Sequence, residues 1–243
     1  MITRSPSLTD QVKANLKERI VNEEFADGRI PPETELADEL GVSRTTVRDA
    51  LSRLENEGAI YRRQGAGTFV NEPGLQIKSR LEDIWSYEQV LQDHGYTPSV
   101  EVLSSHARPA DKATTEALGL ERHAQVLFIE KRFLEDDEPV MLTINRIPIR
   151  IVHDAEYETD EAIPVYEFLE AHCDRTLTYY LSEIVPVRLS AAIAKKLGVK
   201  AGTPAVSFNE IGYDQDNEPI VQATSYFRDD LLRFRLIRRK GGA

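Results

Sequence analysis

Residues 36 to 70, LADELGVSRTTVRDALSRLENEGAIYRRQGAGTFV, decide how the rest of the chain is read. Leu36, Ala37 and Leu40 recur at helical spacing and stop at Gly41, where a left-handed C-cap favours glycine. Ser43 then stands where an N-cap belongs, and Val47, Ala50, Leu51 and Leu54 give a following helix its apolar stripe until Gly58. Two helices joined by a short turn containing glycine form a helix-turn-helix candidate. Strands are predicted over residues 59 to 63 and 68 to 71, joined by the hairpin tip Gln64-Gly65-Ala66-Gly67. Working outward, Leu8, Val12, Leu16, Ile20 and Val21 predict an amphipathic helix within residues 8 to 25, and Pro31-Pro32 separate it from the pair.

The inward stripe turns Arg44, Thr45 and Arg48 outward at the start of the third helix. Arg can donate two bonds to guanine there, while hydroxyls and backbone N–H groups meet phosphates. Residues 44 to 63 hold five Arg (44, 48, 53, 62, 63) against three acids (49, 55, 57), a local excess of +2 in a chain of net charge −11. The acidic total excludes indiscriminate attraction to nucleic acid, but this patch lies where a duplex would be read. Gln64-Gly65-Ala66-Gly67 is no nucleotide-binding loop, because it joins two strands and lacks a following Lys-Ser/Thr. It fits a wing reaching the minor groove, with Arg62 and Arg63 on the adjoining strand.

With 243 residues, 41 % hydrophobic and 29 % charged, the chain can fill a core in two domains. No apolar run approaches the roughly 18 to 20 residues of a spanning helix, and MITRSPSLTDQVK lacks the apolar core of a signal peptide, so a cytoplasmic setting is expected. The single cysteine, Cys173, allows neither an internal disulfide nor a thiolate cage, and no metal or cofactor is expected.

Beyond the hairpin the chain repeats itself. Ala117-Leu118-Gly119-Leu120 and Lys196-Leu197-Gly198-Val199 each lead through an apolar strand, an acidic turn closed by Glu138-Pro139 or Glu218-Pro219, and a second strand. Upstream of each lie a helix, a strand and a short helix. Two α-β-α-β-β halves are expected to share one mostly antiparallel sheet with flanking helices, since a period near 80 residues is too long for a solenoid.

The quoted stretch resembles the winged helix-turn-helix of GntR-family transcription regulators. That resemblance implies recognition-helix contacts from Ser43, Arg44, Thr45, Thr46 and Arg48, and wing contacts around Gln64, Gly65 and Gly67. One departure from the family pattern is Thr34, which replaces an operator-reading Arg and cannot bond guanine bidentately. The later chain resembles the UTRA effector domain of the HutC branch, on Gly95-Tyr96-Thr97-Pro98, Asp137-Glu138-Pro139, Tyr166-Glu167-Phe168-Leu169, Thr203-Pro204 and Phe227-Arg228-Asp229. Such domains resemble chorismate lyase in fold, bind small metabolites without turnover and dimerise. The expected architecture is α+β: a winged helix-turn-helix over residues 1–73, a linker over 74–80, and an effector-binding and dimerisation domain over 81–243.

Sugar-phosphate-responsive members carry an Arg-x-Arg, a Glu, and a later Glu and Tyr where this chain has Lys131 and Phe133, Thr143, and Val221 and Phe227. Most of the charge-assisted grip on a phosphorylated sugar is therefore missing. The candidate effector contacts are these five with Ser99, Tyr179, Thr224, Tyr226 and Arg228, around a less highly charged molecule.

No catalytic residue is assigned. The five histidines (94, 106, 123, 153, 172) show no HExxH spacing, no Gly-x-Ser-x-Gly or Walker loop occurs, and His172-Cys173-Asp174 are neighbours whose side chains diverge. The basic stretch 233–240 fits a solvated edge strand better than a DNA contact. The expected function is a dimeric, metabolite-responsive repressor released from a palindromic operator. The alternatives are a constitutive DNA-binding protein with a vestigial ligand domain, whose operator affinity ignores metabolites, and an enzyme of chorismate lyase-like fold tethered to DNA, whose isolated 80 to 243 fragment turns over substrate.

Overall fold

The computed structural model describes residues 7–75, 84, 86–93, 95, 97–135, 137–153 and 162–228. They fall into two compact units, the first running to residue 75 and the second beginning at residue 84. Most of the expected linker, His94, and the basic stretch 233–240 lie outside the described residues.

The first unit opens with α1 (Leu8–Val21), whose N-cap is Ser7. It buries Val12, Leu16 and Ile20, whereas Leu8 and Val21, assigned inward from spacing, are exposed as its first and last residues. Strand β1 (Arg29–Ile30) precedes α2 (Glu33–Leu40), which Gly41 ends at φ 64, a left-handed conformation costly for other residues. Helix α3 (Arg44–Asn56) starts on Ser43, whose side chain accepts from the Thr46 N–H, and buries Val47, Ala50, Leu51 and Leu54. Strands β2 (Ile60–Arg63) and β3 (Gly67–Val70) form the hairpin, and β1 adds to β3, a pairing too short to leave a periodic signal. One core joins α1, α2, α3 and β2 through Leu16, Leu36, Leu51, Leu54 and Ile60. Burying each such side chain stabilises the unit by about 1.5–3 kcal/mol. A short helix, α4 (Glu72–Leu75), follows the hairpin.

The second unit contains α5 (Tyr87–Asp93), β4 (Pro98–Pro109), α6 (Lys112–Ala117), β5 (Gln125–Glu135), β6 (Glu138–Pro148), α7 (Val165–Cys173), β7 (Leu177–Arg188), α8 (Ala191–Lys196), β8 (Pro204–Asp214) and β9 (Pro219–Arg228). All strand pairings are antiparallel, in the order β4-β5-β6-β9-β8-β7. The repeat is thus spatial: each half contributes three adjacent strands, and the last strands of the halves, β6 and β9, pair in the middle. The local chemistry repeats too. Asp111 caps α6 as Ser190 caps α8, and Gly119 and Gly198 follow those helices at φ 58 and φ 66.

Candidate functional site

Two candidate surfaces emerge, one in each unit. In the first, Arg44, Thr45 and Arg48 project from the opening turns of α3 and are exposed. Ser43 and Thr46 are partly committed to structure: their hydroxyls bond each other at 2.8 Å while Ser43 caps the helix. Arg48 is already engaged, because its Nε and Nη2 both lie 3.1 Å from Glu33 Oε2 in the first turn of α2. Arg62 forms an ion pair through Nε with Glu55 at 3.2 Å and approaches Glu33 at 4.0 Å, so one carboxylate connects two arginines of this face. Thr34, Arg63, Gln64, Gly65 and Gly67 are exposed. Gly65 adopts φ 76 with open space around it, and Arg29 steadies the tip by donating to the Ala66 carbonyl at 3.3 Å. The arrangement presents basic and hydroxyl groups on a helix and on a glycine-tipped hairpin, the chemistry of a duplex-reading surface.

The second unit holds a cavity of about 520 Å³ between one face of its sheet and two covering segments. Strand registers arrange its floor as two rows. Lys131 pairs with Thr143, Thr143 with Ser225 and Ser225 with Phe208; in the next row Asn145 pairs with Ala223, Ala223 with Glu210 and Glu210 with Ser182. Ala223 and Ser225 are small, between the larger Val221 and Phe227 on the same face of β9, which is why space remains there. Tyr87 and Glu88 on α5 and residues 163–166 at the start of α7 line the cavity from the other side.

Its polar groups are held in place. Lys131, at 5 % exposure, donates to the Ile163 carbonyl. Thr143, Asn145 and Ser225 are also buried, and the Tyr87 hydroxyl bonds Ser225 at 2.9 Å. Burial raises the Tyr87 and Tyr180 pKa values above the usual tyrosine range, and the Glu210 carboxylate adds to the effect. Burial also pushes the Glu210 carboxyl up, opposed by the Ser182 hydroxyl that donates to it at 2.5 Å.

Lys131, Phe133, Thr143 and Tyr179 from the sequence-based set line this cavity, with Tyr179 stacked on Tyr213 at 5.0 Å and donating to Asn217. The other six are not brought together there. Thr224, Tyr226 and Arg228 occupy even positions of β9, and the pleat sends them to the opposite face from Ala223 and Ser225. Thr224 meets Arg146, Tyr226 packs near Leu142, and Arg228 donates to Glu138 and the Pro139 carbonyl at 2.9 and 2.8 Å. Val221 and Phe227 have the right parity but are fully packed in clusters at either end of the cavity. Ser99 is exposed on edge strand β4, opposite Leu134. Sequence reasoning missed Tyr87, Asn145, Ser182, Glu210 and Ser225. The available signal was alternation within strands whose pairing partners were unknown.

Cys173 is buried and its thiol is pushed up to about 12, chiefly by burial, which makes it a poor nucleophile. Among the described residues no group of three or more His, Cys, Asp or Glu side chains is placed to hold a metal ion, and no helix is long and apolar enough to cross a membrane.

Comparison with known proteins fits this division. Residues 8–70 match the family described as bacterial regulatory proteins, gntR family, and residues 93–233 match the UTRA domain. An HTH-type transcriptional regulator of Mycobacterium tuberculosis is 31 % identical over 233 residues, covering 94 % of this chain and 84 % of the relative. The transcriptional repressor NagR of Bacillus subtilis is 28 % identical over 225 residues, covering 92 % of this chain and 91 % of NagR. The crystal structure of PhnF from Mycobacterium smegmatis superposes with a TM-score of 0.61 at 27 % identity, covering 95 % of this chain and 100 % of that one. The crystal structure of YydK from Bacillus subtilis, at 15 % identity, shares the fold with a TM-score of 0.76 over 96 % of this chain and 100 % of its own. The first unit carries the one match and the second the other, and the chain belongs to the GntR family of DNA-binding transcription regulators, with a UTRA effector domain.

Proposed function

We propose that the protein is a cytoplasmic, homodimeric repressor that reads a palindromic operator and releases it when a small molecule fills the cavity over β5, β6, β9, β8 and β7. The observation that carries this reading is the cavity itself: about 520 Å³, lined by buried Lys131, Thr143, Asn145 and Ser225, within the UTRA match. Arg44 and Arg48 read base edges, Ser43, Thr45 and Thr46 serve phosphates and helix geometry, and Gln64, Gly65 and Gly67 approach the backbone with Arg62 and Arg63. The open edge of β7, with Leu181 61 % exposed on it, supports pairing with a second copy. The cavity binds without turnover.

An effector acts only through its differential affinity for the operator-competent and operator-incompetent states. A thermal-shift screen of metabolites followed by operator-binding titrations tests the reading. A compound that raises the Tm is expected to weaken operator affinity; stabilising compounds that all leave affinity unchanged would instead mark a constitutive DNA-binding protein.

A further inference from the structure

The cavity's two charged residues differ in how they are accommodated. Lys131 on β5 and Glu210 on β8 stand three strand spacings apart, roughly 14 Å across the sheet, and one row apart along it. Lys131 is held against a backbone carbonyl. Glu210 lines the cavity half-buried, and among the described residues its carboxyl is met by the Ser182 hydroxyl and by no lysine, arginine or histidine. A carboxylate drawn partly out of water with no cation beside it is less well solvated than a free one. Its neighbours on the cavity wall are aromatic: Tyr87 from α5, and Tyr180 and Phe208 from β7 and β8. Aromatic rings beside an acidic group suit a cation, which gains from both the carboxylate and the rings.

We infer that the effector carries a protonated nitrogen, as ammonium, amidinium or guanidinium, and docks it on the Glu210 carboxylate beside Ser182 and the tyrosines. This rests on the cavity being the effector site. It assigns Glu210 the specificity for charge, and it gives Lys131, Thr143 and Asn145 the acceptor groups of the same molecule. The cation supplies the counter-charge that no described residue places beside Glu210, so ligand binding and relief of that carboxylate are one event.

The test is a thermal-shift series on the full chain with matched probes at millimolar concentration: tyramine against tyrosol, glucosamine against glucose, γ-aminobutyrate against γ-hydroxybutyrate, and glucose 6-phosphate as an anion. An amine is expected to raise the Tm where its alcohol does not; Glu210→Gln abolishes that shift, and Glu210→Asp, which keeps the charge, retains part of it. Tm values without ligand show that both variants fold. The inference is overturned if no amine stabilises, if amine and alcohol act equally, or if Glu210→Gln leaves the shift unchanged. Ala223→Leu, which fills the floor beside Glu210, separates the two readings. A neutral or anionic stabiliser that loses its effect in Ala223→Leu contradicts the cation and keeps the cavity, whereas stabilisers indifferent to Ala223→Leu contradict the cavity as well.

Discussion

In the first unit the five central candidate contacts fall within six consecutive positions, Ser43 to Arg48, on one capped helix; in the second the cavity gathers its lining from five strands and two covering segments between residues 84 and 225. The difference is one of range. A helix fixes which residues share a face by its own 3.6-residue period, whereas a sheet fixes it only after every neighbouring strand has found its register. The first surface is therefore written locally and the second is not. Perturbations should respect that division, and four of them, taken from the largest expected effect downward, would break or sharpen it.

Gly212 lies where a Cβ would come within 2.6 Å of Val221, 2.7 Å of Leu177 and 2.9 Å of Tyr180, all in one cluster behind the cavity. Gly212→Val is expected to destabilise the second unit by about 1–3 kcal/mol or more through overpacking. Calorimetry should show this loss while specific operator binding at low temperature stays near wild type; an equal loss in both would mean the sites are not separable. Arg44→Ala removes an exposed guanidinium from the start of α3 and should cost about 1–3 kcal/mol of specific binding at fixed salt, with no change in ligand-induced stabilisation. Fluorescence anisotropy on operator and unrelated duplexes checks both parts.

Glu33 occupies the fork of Arg48 and reaches towards Arg62. Glu33→Gln should free both guanidiniums and tighten binding to unrelated DNA about two- to fivefold at low salt, within the about 1 kcal/mol typical of exposed pairs. An unchanged affinity would show that the bridge does not compete with phosphate. The smallest effect concerns Glu210, faced by Ser182 and Tyr180 from β7 and Tyr87 from α5. Its folded carboxyl binds a proton more readily than the unfolded one, whose value is about 4.3. The native state therefore holds more protons, and stability falls as pH rises from the unfolded value through the folded one. Urea titrations across that window should show this slope in the wild type, reduced in Glu210→Gln; identical slopes would place the carboxyl in solvent-like surroundings.

The helix-turn-helix was legible in detail because each cue is local: Gly41 and Ser43 punctuate, and Val47, Ala50, Leu51 and Leu54 face the core as their spacing requires. The pairing of halves in the second unit was legible from the duplicated Leu-Gly and Glu-Pro landmarks. Of its lining, the resemblance pointed to Lys131 and Phe133 on β5 and Thr143 on β6, and Tyr179 on β7 was singled out as a polar contact. On β9 the resemblance pointed to Val221 and Phe227, and polarity added Thr224, Tyr226 and Arg228, although the pleat had put Ala223 and Ser225 over the cavity. Glu210 escaped because nothing within its own strand marks it; its importance comes from Ser182 and the tyrosines that tertiary packing brings beside it.

Hydroxyl-radical footprinting of the full protein on DNA around its own gene tests the central claim most directly. The account predicts a two-fold symmetric protected site with half-site centres about 34 Å apart, lost in Arg44→Ala with Arg48→Ala and preserved in Ala223→Leu. Protection without symmetry, or symmetric protection indifferent to the two arginines, would contradict it.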